Sequence, residues 1–395
     1  MNIEIRVVVE LIDQQFRLFE HSFKNSNVET RTELALSEEK VNDFYSKDLK
    51  KARCAGLLVQ TCNRRLFIVH GEQVDLIQQK IQSELNLASE TMEVKHGNEA
   101  MRYFLRVVSG MESQIYGDAE IAGQVRKSFF TAKEFGCVSG LLEKVVTLGI
   151  HTSRTVKRID PTTFRSHSVS LATAQLLKFQ SPKNILIVGT GEIGKRVIHH
   201  VSRLEDIKAE ITVANRTSKK AEDTALRYGC KVIPFANWKK NASSYHAIVL
   251  ALHSMEAIIT KEVDLHPDCH IYDLGVPSNV RSVQRGIHVM DVDTISEAYN
   301  AVHNAQVVMA QSDHDHIIGA AMEALQRWSK ARRAKDLIDG IGMQSEQDYY
   351  GLHSNSSLAH VFFSKVKAEP QACVAKLWLD AVAQNFDEDI QSAAL

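Results

Sequence analysis

The sequence predicts an α/β chain in three parts: an N-terminal α+β domain, a doubly wound parallel sheet, and a long helix leading into a helical C-terminal region. Three observations carry that reading. Between residues 165 and 290 short apolar runs recur: NILIVG (184–189), EITVAN (210–215), KVIPF (231–235), HAIVLAL (246–252) and HIYDLG (270–275), with helical patterns between several of them. Near-continuous apolar strands alternating with helices mark a parallel sheet covered on both faces. Upstream, short strands and helices mix without that alternation. Downstream, Asp293 to about Ala334 holds no proline and no glycine before Gly319, while Ile295, Tyr299, Val302, Ala305, Val308 and Met309 recur at helical spacing. The parts are bounded at 1–158, 159–290 and 291–395.

The N-terminal elements follow from local pattern. Ile3–Leu11 and Ala55–Val69 read as strands. Ser37–Tyr45 opens with Ser-Glu-Glu, an N-cap followed by an acidic first turn, and reads as a helix, as does Asp75–Leu87. Gly110, Gly117 and Gly123 interrupt helix in the next stretch, where a loop or a close approach is expected. The long helix ends in the basic run RWSKARRAK (327–335); SNSS (354–357) reads as a loop, and a further helix is expected near Val374–Val382.

Composition excludes several classes of function. With 395 residues, 44% hydrophobic and 24% charged, the chain is an ordinary multi-domain globular protein, and a net charge of −1 provides no global field for nucleic acid or membrane. The first residues alternate like a strand and carry acids where a secretory signal is basic. No apolar run approaches the roughly 18–20 residues of a membrane helix. The six cysteines (54, 62, 137, 230, 269, 373) are scattered without a CxxC pair, which fits free thiols in a reducing cytoplasm.

Gly189-Thr190-Gly191-Glu192-Ile193-Gly194 follows the strand NILIV and opens the helical pattern KRVIHHVSRL. Strand before, helix after and a second strand about twenty residues on make this a Rossmann-like dinucleotide turn. The helix start offers partial positive charge to a pyrophosphate. After the second strand, where an acid would bind the ribose of NAD, stand Asn215, Arg216 and Thr217, followed by Ser218 and Lys219. That chemistry suits a 2′-phosphate and hence NADPH. The plainer readings, a glycine-rich turn without ligand and a solvated loop arginine, are weakened by this context.

LLVQTCNRRLF (57–67) ends an apolar stretch in Thr61, Cys62, Asn63, Arg64 and Arg65. A cysteine taken alone is usually a small buried hydrophobe. Here the adjacent arginines favour a thiolate, because nearby cations stabilise it. Cys54, eight residues earlier, lacks that setting and reads as structural.

TCNR, then VSGMESQIYGDAEIAGQVR (108–126), GTGEIGK and VANRT, in this order and spacing, resemble the glutamyl-tRNA reductase family. VETRTELALSEE, SVSLATA and DLGVPSNV add weaker echoes, so the resemblance covers about residues 20–310. It implies NADPH-dependent reduction of the glutamyl group of glutamyl-tRNA(Glu) to glutamate-1-semialdehyde, an early step of tetrapyrrole synthesis. It implies Cys62 as the nucleophile forming a thioester and Arg64 as the clamp for the substrate carboxylate. Thr61, Asn63, Ser109, Asp118 and Gln124 become pocket residues. It further implies a homodimer through the helical C-terminal region and glutamate-1-semialdehyde aminomutase as a partner.

The sequence departs from the family at several of these places. Arg65 and Leu66 stand where the family carries threonine and glutamate, Tyr103 where it carries histidine, Asp118 where it carries glutamate, and SFKNSN (22–27) in place of Asn-His-Lys-Thr-Ala-Pro. A phenol titrates near 10 and does not replace imidazole as a proton carrier near neutrality. An NADP-binding paralogue with altered or lost activity is therefore the alternative expectation.

Two smaller patterns remain. In Asp313-His314-Asp315-His316, residues two apart on a helix point to nearly opposite faces, so a solvated face is expected rather than a chelate. The run 327–335, and Lys144, Arg154, Lys157, Arg158 and Arg165, are candidate phosphate-contacting surfaces.

Overall fold

The computed structural model describes residues 15–84, 92–161, 167–204, 208–254 and 256–340, with the side chains of 84, 304–313 and 330–340 outside the description. The expected strand at Ile3–Leu11, the loop at 354–357 and the helix near Val374–Val382 lie outside the described residues. Phe16–Ile317 form one compact unit.

The first half of that unit is built on an antiparallel sheet in the order β2–β3–β1–β4, from β1 (Phe16–Ser22), β2 (Ala55–Gln60), β3 (Arg64–His70) and β4 (Glu93–His96). Between β1 and β2 lie α1 (Val28–Glu33) and α2 (Glu38–Asp43). α2 starts where expected, with the Ser37 hydroxyl accepting the Lys40 amide at 3.3 Å. α3 (Val74–Glu84) follows β3. α4 (Gly97–Val108), α5 (Ile121–Glu134) and α6 (Gly140–Ile159) complete this half.

The expected single strand over 55–69 is instead a hairpin, broken at residues 61–63. The break contains no glycine or proline to announce it. The Thr61 hydroxyl makes the turn, accepting the amides of Asn63 and Arg64, each at 3.1 Å. Gly110 and Gly117 adopt φ of +82° and +84° in the loop after α4, as the glycine pattern indicated. Gly123 does not interrupt helix: it lies inside α5.

The second half is the doubly wound sheet. α7 (Val169–Gln180) leads into β5 (Asn184–Val188), α8 (Glu192–Val201), β6 (Glu210–Ala214), α9 (Ser218–Tyr228), β7 (Lys231–Val232), β8 (Ala247–Leu250), β9 (His270–Asp273) and β10 (His288–Asp291). The strands are all parallel, in the order β10–β9–β8–β5–β6–β7, so the topological switch point lies between β5 and β8. All four residues of β8 are fully buried, as a sheet covered on both faces requires. β10 was not among the apolar runs; its residues are half-exposed or exposed at the sheet edge. α10 (Val292–Gly340) is the long helix.

The DHDH stretch on α10 is solvated only in part: Asp315 and His316 are exposed, but His314 is not. His314 is buried, pairs with Asp160 at 3.3 Å and stacks on Tyr116, while Asp315 pairs with Arg106. No helix among the described residues is long and apolar enough to cross a membrane.

A buried charge cluster sits on the hairpin. Glu20 and Leu66 are cross-strand partners, as are Ser22 and Arg64, so all four side chains share one face of the sheet. Arg64 donates to Glu20 at 2.8 Å, with both side chains at 2% exposure or less. Tyr103 on α4 donates to the other Glu20 oxygen and accepts from Lys24 at 3.2 Å.

Removing one member of a buried ion pair leaves the other desolvated. Arg64→Met is expected to lower stability by about 3 kcal/mol, and adding Glu20→Leu is expected to restore most of that. Guanidinium unfolding of the single and double variants measures this. Additive losses would show that the pair contributes nothing as a pair.

Candidate active site

Cys62 sits at the apex of the β2–β3 hairpin and lines a narrow cleft with Thr61, Asn63, Arg64, Asp118, Glu120, Gln124 and, from the nucleotide-binding half, Val169 and Ile193. Ile193, within the glycine motif, stands in the first turn of α8. The hairpin thus delivers its thiol against the dinucleotide motif. The free space is about 20 Å³, room for roughly one water, so the elements around it must separate to admit a glutamyl group.

The charges around the thiol differ from those expected. Arg64 and Arg65 are neighbours on a strand and therefore point to opposite faces. Arg64 is held by Glu20 and by the Glu112 carbonyl. Arg65 is held by the Arg31 carbonyl and by His21 at 3.3 Å. Burial and the cations Arg65 and Arg31 push the His21 imidazole down to about 4, leaving it neutral. The arginine acting on the thiol is Arg31, on α1, whose Nε donates to the Cys62 carbonyl at 3.0 Å. It does not prevail. Burial, then Asp118 and Glu120, push the Cys62 thiol up to about 12. The expected thiolate beside two arginines is a protonated thiol beside two carboxyl groups.

Asp118 and Glu120 precede α5. Their loop depends on Gly110, where a Cβ would stand 2.6 Å from the Asp118 carbonyl. Asp118 accepts the Glu120 amide at 2.8 Å. Glu120, 7% exposed, accepts from the Ser170 hydroxyl at 3.2 Å and lies 3.5 Å from Arg196 on α8. Burial raises both carboxyls, Glu120 to about 7, with the Asp118 charge adding to it. Glu120 was missed in the sequence; the spacing Asp118-Ala-Glu120 beside the glycine loop was the available signal.

The other expected pocket residues are only partly brought together. Gln124 and Asn63 line the cleft, and the Asn63 Oδ1 is buried without a hydrogen-bond partner. Thr61 lines it too, with its hydroxyl accepting two turn amides. Ser109 does not line it: it is fully buried as the C-cap of α4. Tyr103, at the family's histidine position, is also outside the lining, and burial and Glu20 raise its phenol far above the ordinary value.

The glycine turn fits a dinucleotide. A Cβ on Gly194 would meet the Gly189 carbonyl at 2.0 Å, so helix and strand require hydrogen there. A Cβ on Gly191 would meet nothing within 4 Å, leaving open space at the start of α8 for a pyrophosphate. The Asn215 side chain accepts the Thr190 amide at 3.0 Å, fixing the turn. The Thr190 hydroxyl is buried without a partner. Glu192 is exposed and pairs with Arg196 at 2.7 Å. Arg216, Thr217, Ser218 and Lys219 are exposed at the end of β6, an arrangement suited to a 2′-phosphate. Among the described residues, no group of His, Cys, Asp and Glu forms a metal site.

The family model "Glutamyl-tRNAGlu reductase, N-terminal domain" matches residues 20–159, and "Shikimate / quinate 5-dehydrogenase" matches residues 170–298. The chain is 30% identical over 243 residues to the glutamyl-tRNA reductase of Methanocaldococcus jannaschii, covering 61% of this chain and 58% of that one. It is 29% identical over 269 residues to that of Christiangramia forsetii, covering 66% of this chain and 64% of that one. The matches thus span under two thirds of the length of these two relatives. The solved structure of the Methanopyrus kandleri glutamyl-tRNA reductase is similar at 18% identity and a TM-score of 0.48, covering 93% of this chain and 99% of that one.

Two substitutions separate the roles of the nucleotide residues. Gly191→Ala is expected to leave thermal stability unchanged and weaken NADPH binding at least about 10-fold, since the methyl group fills only the open space at the helix start. Arg216→Ala is expected to weaken NADPH about 10–100-fold and leave NADH unchanged, because it removes a charge-assisted contact to the 2′-phosphate. Fluorescence titration with both cofactors measures these effects; equal losses for NADPH and NADH would remove the role given to Arg216.

Proposed function

We propose that this chain, which belongs to the glutamyl-tRNA reductase family, reduces glutamyl-tRNA(Glu) to glutamate-1-semialdehyde with NADPH. The observation that supports it most directly is that Cys62 on the hairpin apex and Ile193, in the first turn of the dinucleotide-motif helix, line one cleft.

Cys62 attacks the aminoacyl ester, its sulfur bonds to the acyl carbon, and the tRNA ribose oxygen departs. NADPH, when bound, supplies the hydride that takes the acyl carbon to the aldehyde level. The choice of sulfur follows from its chemistry: a thioester accepts hydride more readily than an ester, and a thiolate leaves readily when the carbonyl reforms. Arg64 remains the proposed anchor for the substrate carboxylate. Two of its N–H groups are engaged, and a guanidinium has five. Asn63 presents its free acceptor to the cleft, and Thr61, Asp118 and Gln124 complete the wall. Gly189, Thr190, Gly191, Glu192, Ile193, Gly194, Asn215, Arg216 and Thr217 hold the cofactor.

The setting follows from the same reading. The enzyme works in the cytoplasm, in keeping with the free thiols of Cys54, Cys62, Cys137, Cys230 and Cys269. It is a homodimer through residues 291–395, and its aldehyde product passes to glutamate-1-semialdehyde aminomutase for tetrapyrrole synthesis. Residues 1–158 form the catalytic domain and 159–290 the NADP-binding domain.

The test is semialdehyde formation from glutamyl-tRNA and NADPH by the full chain. Cys62→Ser is expected to lower it by a factor on the order of 10³ or more. Absence of product from the wild type would favour the NADP-binding paralogue instead; equal activity in both proteins would remove Cys62 as nucleophile.

A further inference from the structure

We infer that the Asp118–Glu120 carboxyl pair accepts the proton of the Cys62 thiol and returns it to the leaving tRNA oxygen. The inference rests on the thioester reading above and deepens it by assigning the proton transfers.

The geometry singles out this pair. A thiol that attacks an ester must lose its proton, and the acceptor must stand within direct or one-water reach. Of the ionisable groups among the described residues lining the cleft, Cys62 is the nucleophile and Arg64 is engaged by Glu20; Asp118 and Glu120 are the only carboxyl groups, and there is no histidine among them. Cys62, Asp118 and Glu120 line the same narrow cleft, and both carboxyl groups act electrostatically on the thiol. Tyr103, the residue at the family's histidine position, donates to Glu20 and does not line the cleft.

The groups facing Glu120 come from several elements. Asp118 precedes it, Ser170 on α7 donates to it, and Arg196 on α8 lies 3.5 Å away, itself shared with Glu192. Lys157 on α6 donates to the intervening Ala119 carbonyl at 3.0 Å and faces Asp118. Burial holds Glu120 near 7, the range in which a carboxylate exchanges protons at physiological pH. An acceptor must be ionised, so the rate rises with pH through about 7.

The proton balance closes. The S–C bond forms as the ester C–O bond breaks, and the thiol proton moves to Glu120 and then to the ribose oxygen. After hydride addition the C–S bond breaks, releasing the aldehyde and a thiolate. The thiolate regains a proton that Glu120 has taken from solvent, matching the one proton consumed with each NADPH.

The experiment follows tRNA release from glutamyl-tRNA without NADPH in single turnover across pH 5.5–9, in parallel with alkylation of Cys62 by iodoacetamide. For the wild type, release is expected to rise with a midpoint near 7. Glu120→Gln is expected to lose that rising limb and about 100-fold in rate at pH 8. Its Cys62 is expected to alkylate faster, because one of the charges opposing the thiolate is gone. Glu120→Asp, which keeps an acid, retains a limb. The two readouts move in opposite directions, which a merely damaged cleft does not produce. A Glu120→Gln protein that keeps the wild-type limb, or alkylates no faster, overturns the inference while leaving the reductase reading intact. Failure of that reading is seen separately, in unchanged release by Cys62→Ser, and alkylation needs no tRNA.

Discussion

Burying the Arg31 guanidinium at 1% exposure costs several kcal/mol unless its donors are met, and three segments of chain converge to meet them. Ser26, from the loop after β1, accepts at 2.6 Å; the Cys62 carbonyl accepts at 3.0 Å; Asp293, on the first turn of α10, accepts at 2.5 Å. The Arg31 carbonyl in turn receives Arg65. The backbone of the thiol turn is thereby fixed both to its own half and to the helix that follows the nucleotide-binding sheet. Gln114 adds to the same anchor, donating to Asp293 at 2.9 Å, and Asn300 donates to the Gln114 carbonyl at 2.7 Å. Next to Arg31, the Thr32 hydroxyl accepts the Ser278 amide at 3.2 Å, in the loop after β9. That loop is itself held by buried Asp273, which accepts from Gly275, Ser278 and Asn279. The cleft between the thiol and the glycine turn is a consequence of these ties.

The fold was legible where it rests on local pattern. β5, β6, β8 and β9 are apolar runs because both faces of the sheet are covered, and the glycine turn can be recognised because β5 precedes it and α8 follows it. The α2 cap is likewise a matter of three neighbouring residues. The hairpin was not legible, since its turn is made by a threonine hydroxyl inside an otherwise continuous strand signal. β10 is short, at the sheet edge, and carries little apolar signal.

The site was legible in its residue types and not in its electrostatics. Cys62, Asn63, Arg64, Asp118 and Gln124 do meet in one cleft. Proximity in sequence gave the wrong cation, because alternation along β3 sends Arg64 and Arg65 into separate buried networks while Arg31 arrives from 31 positions away. The same limit hid the burial of His314, whose partners Tyr116 and Asp160 are far upstream.

The departures from the family are coupled to one another in the fold. Leu66, where the resemblance expects an acid, is fully buried; its cross-strand partner is Glu20, so an acid is present on the same face of the sheet, carried by the neighbouring strand. Tyr103, where the resemblance expects a histidine, donates its hydrogen to that acid. Glu112 joins them, and although burial alone would raise its carboxyl, Lys24 and Arg106 overcome that and lower it. Arg64, Glu20, Tyr103, Lys24, Glu112 and Arg106 thus form a continuous charge-paired network under the hairpin. A phenol held this way satisfies a buried acid but does not exchange protons near neutrality. The network accordingly gives Tyr103 no part in proton transfer near neutrality, and in the inferred mechanism that part falls to Asp118 and Glu120 in the cleft.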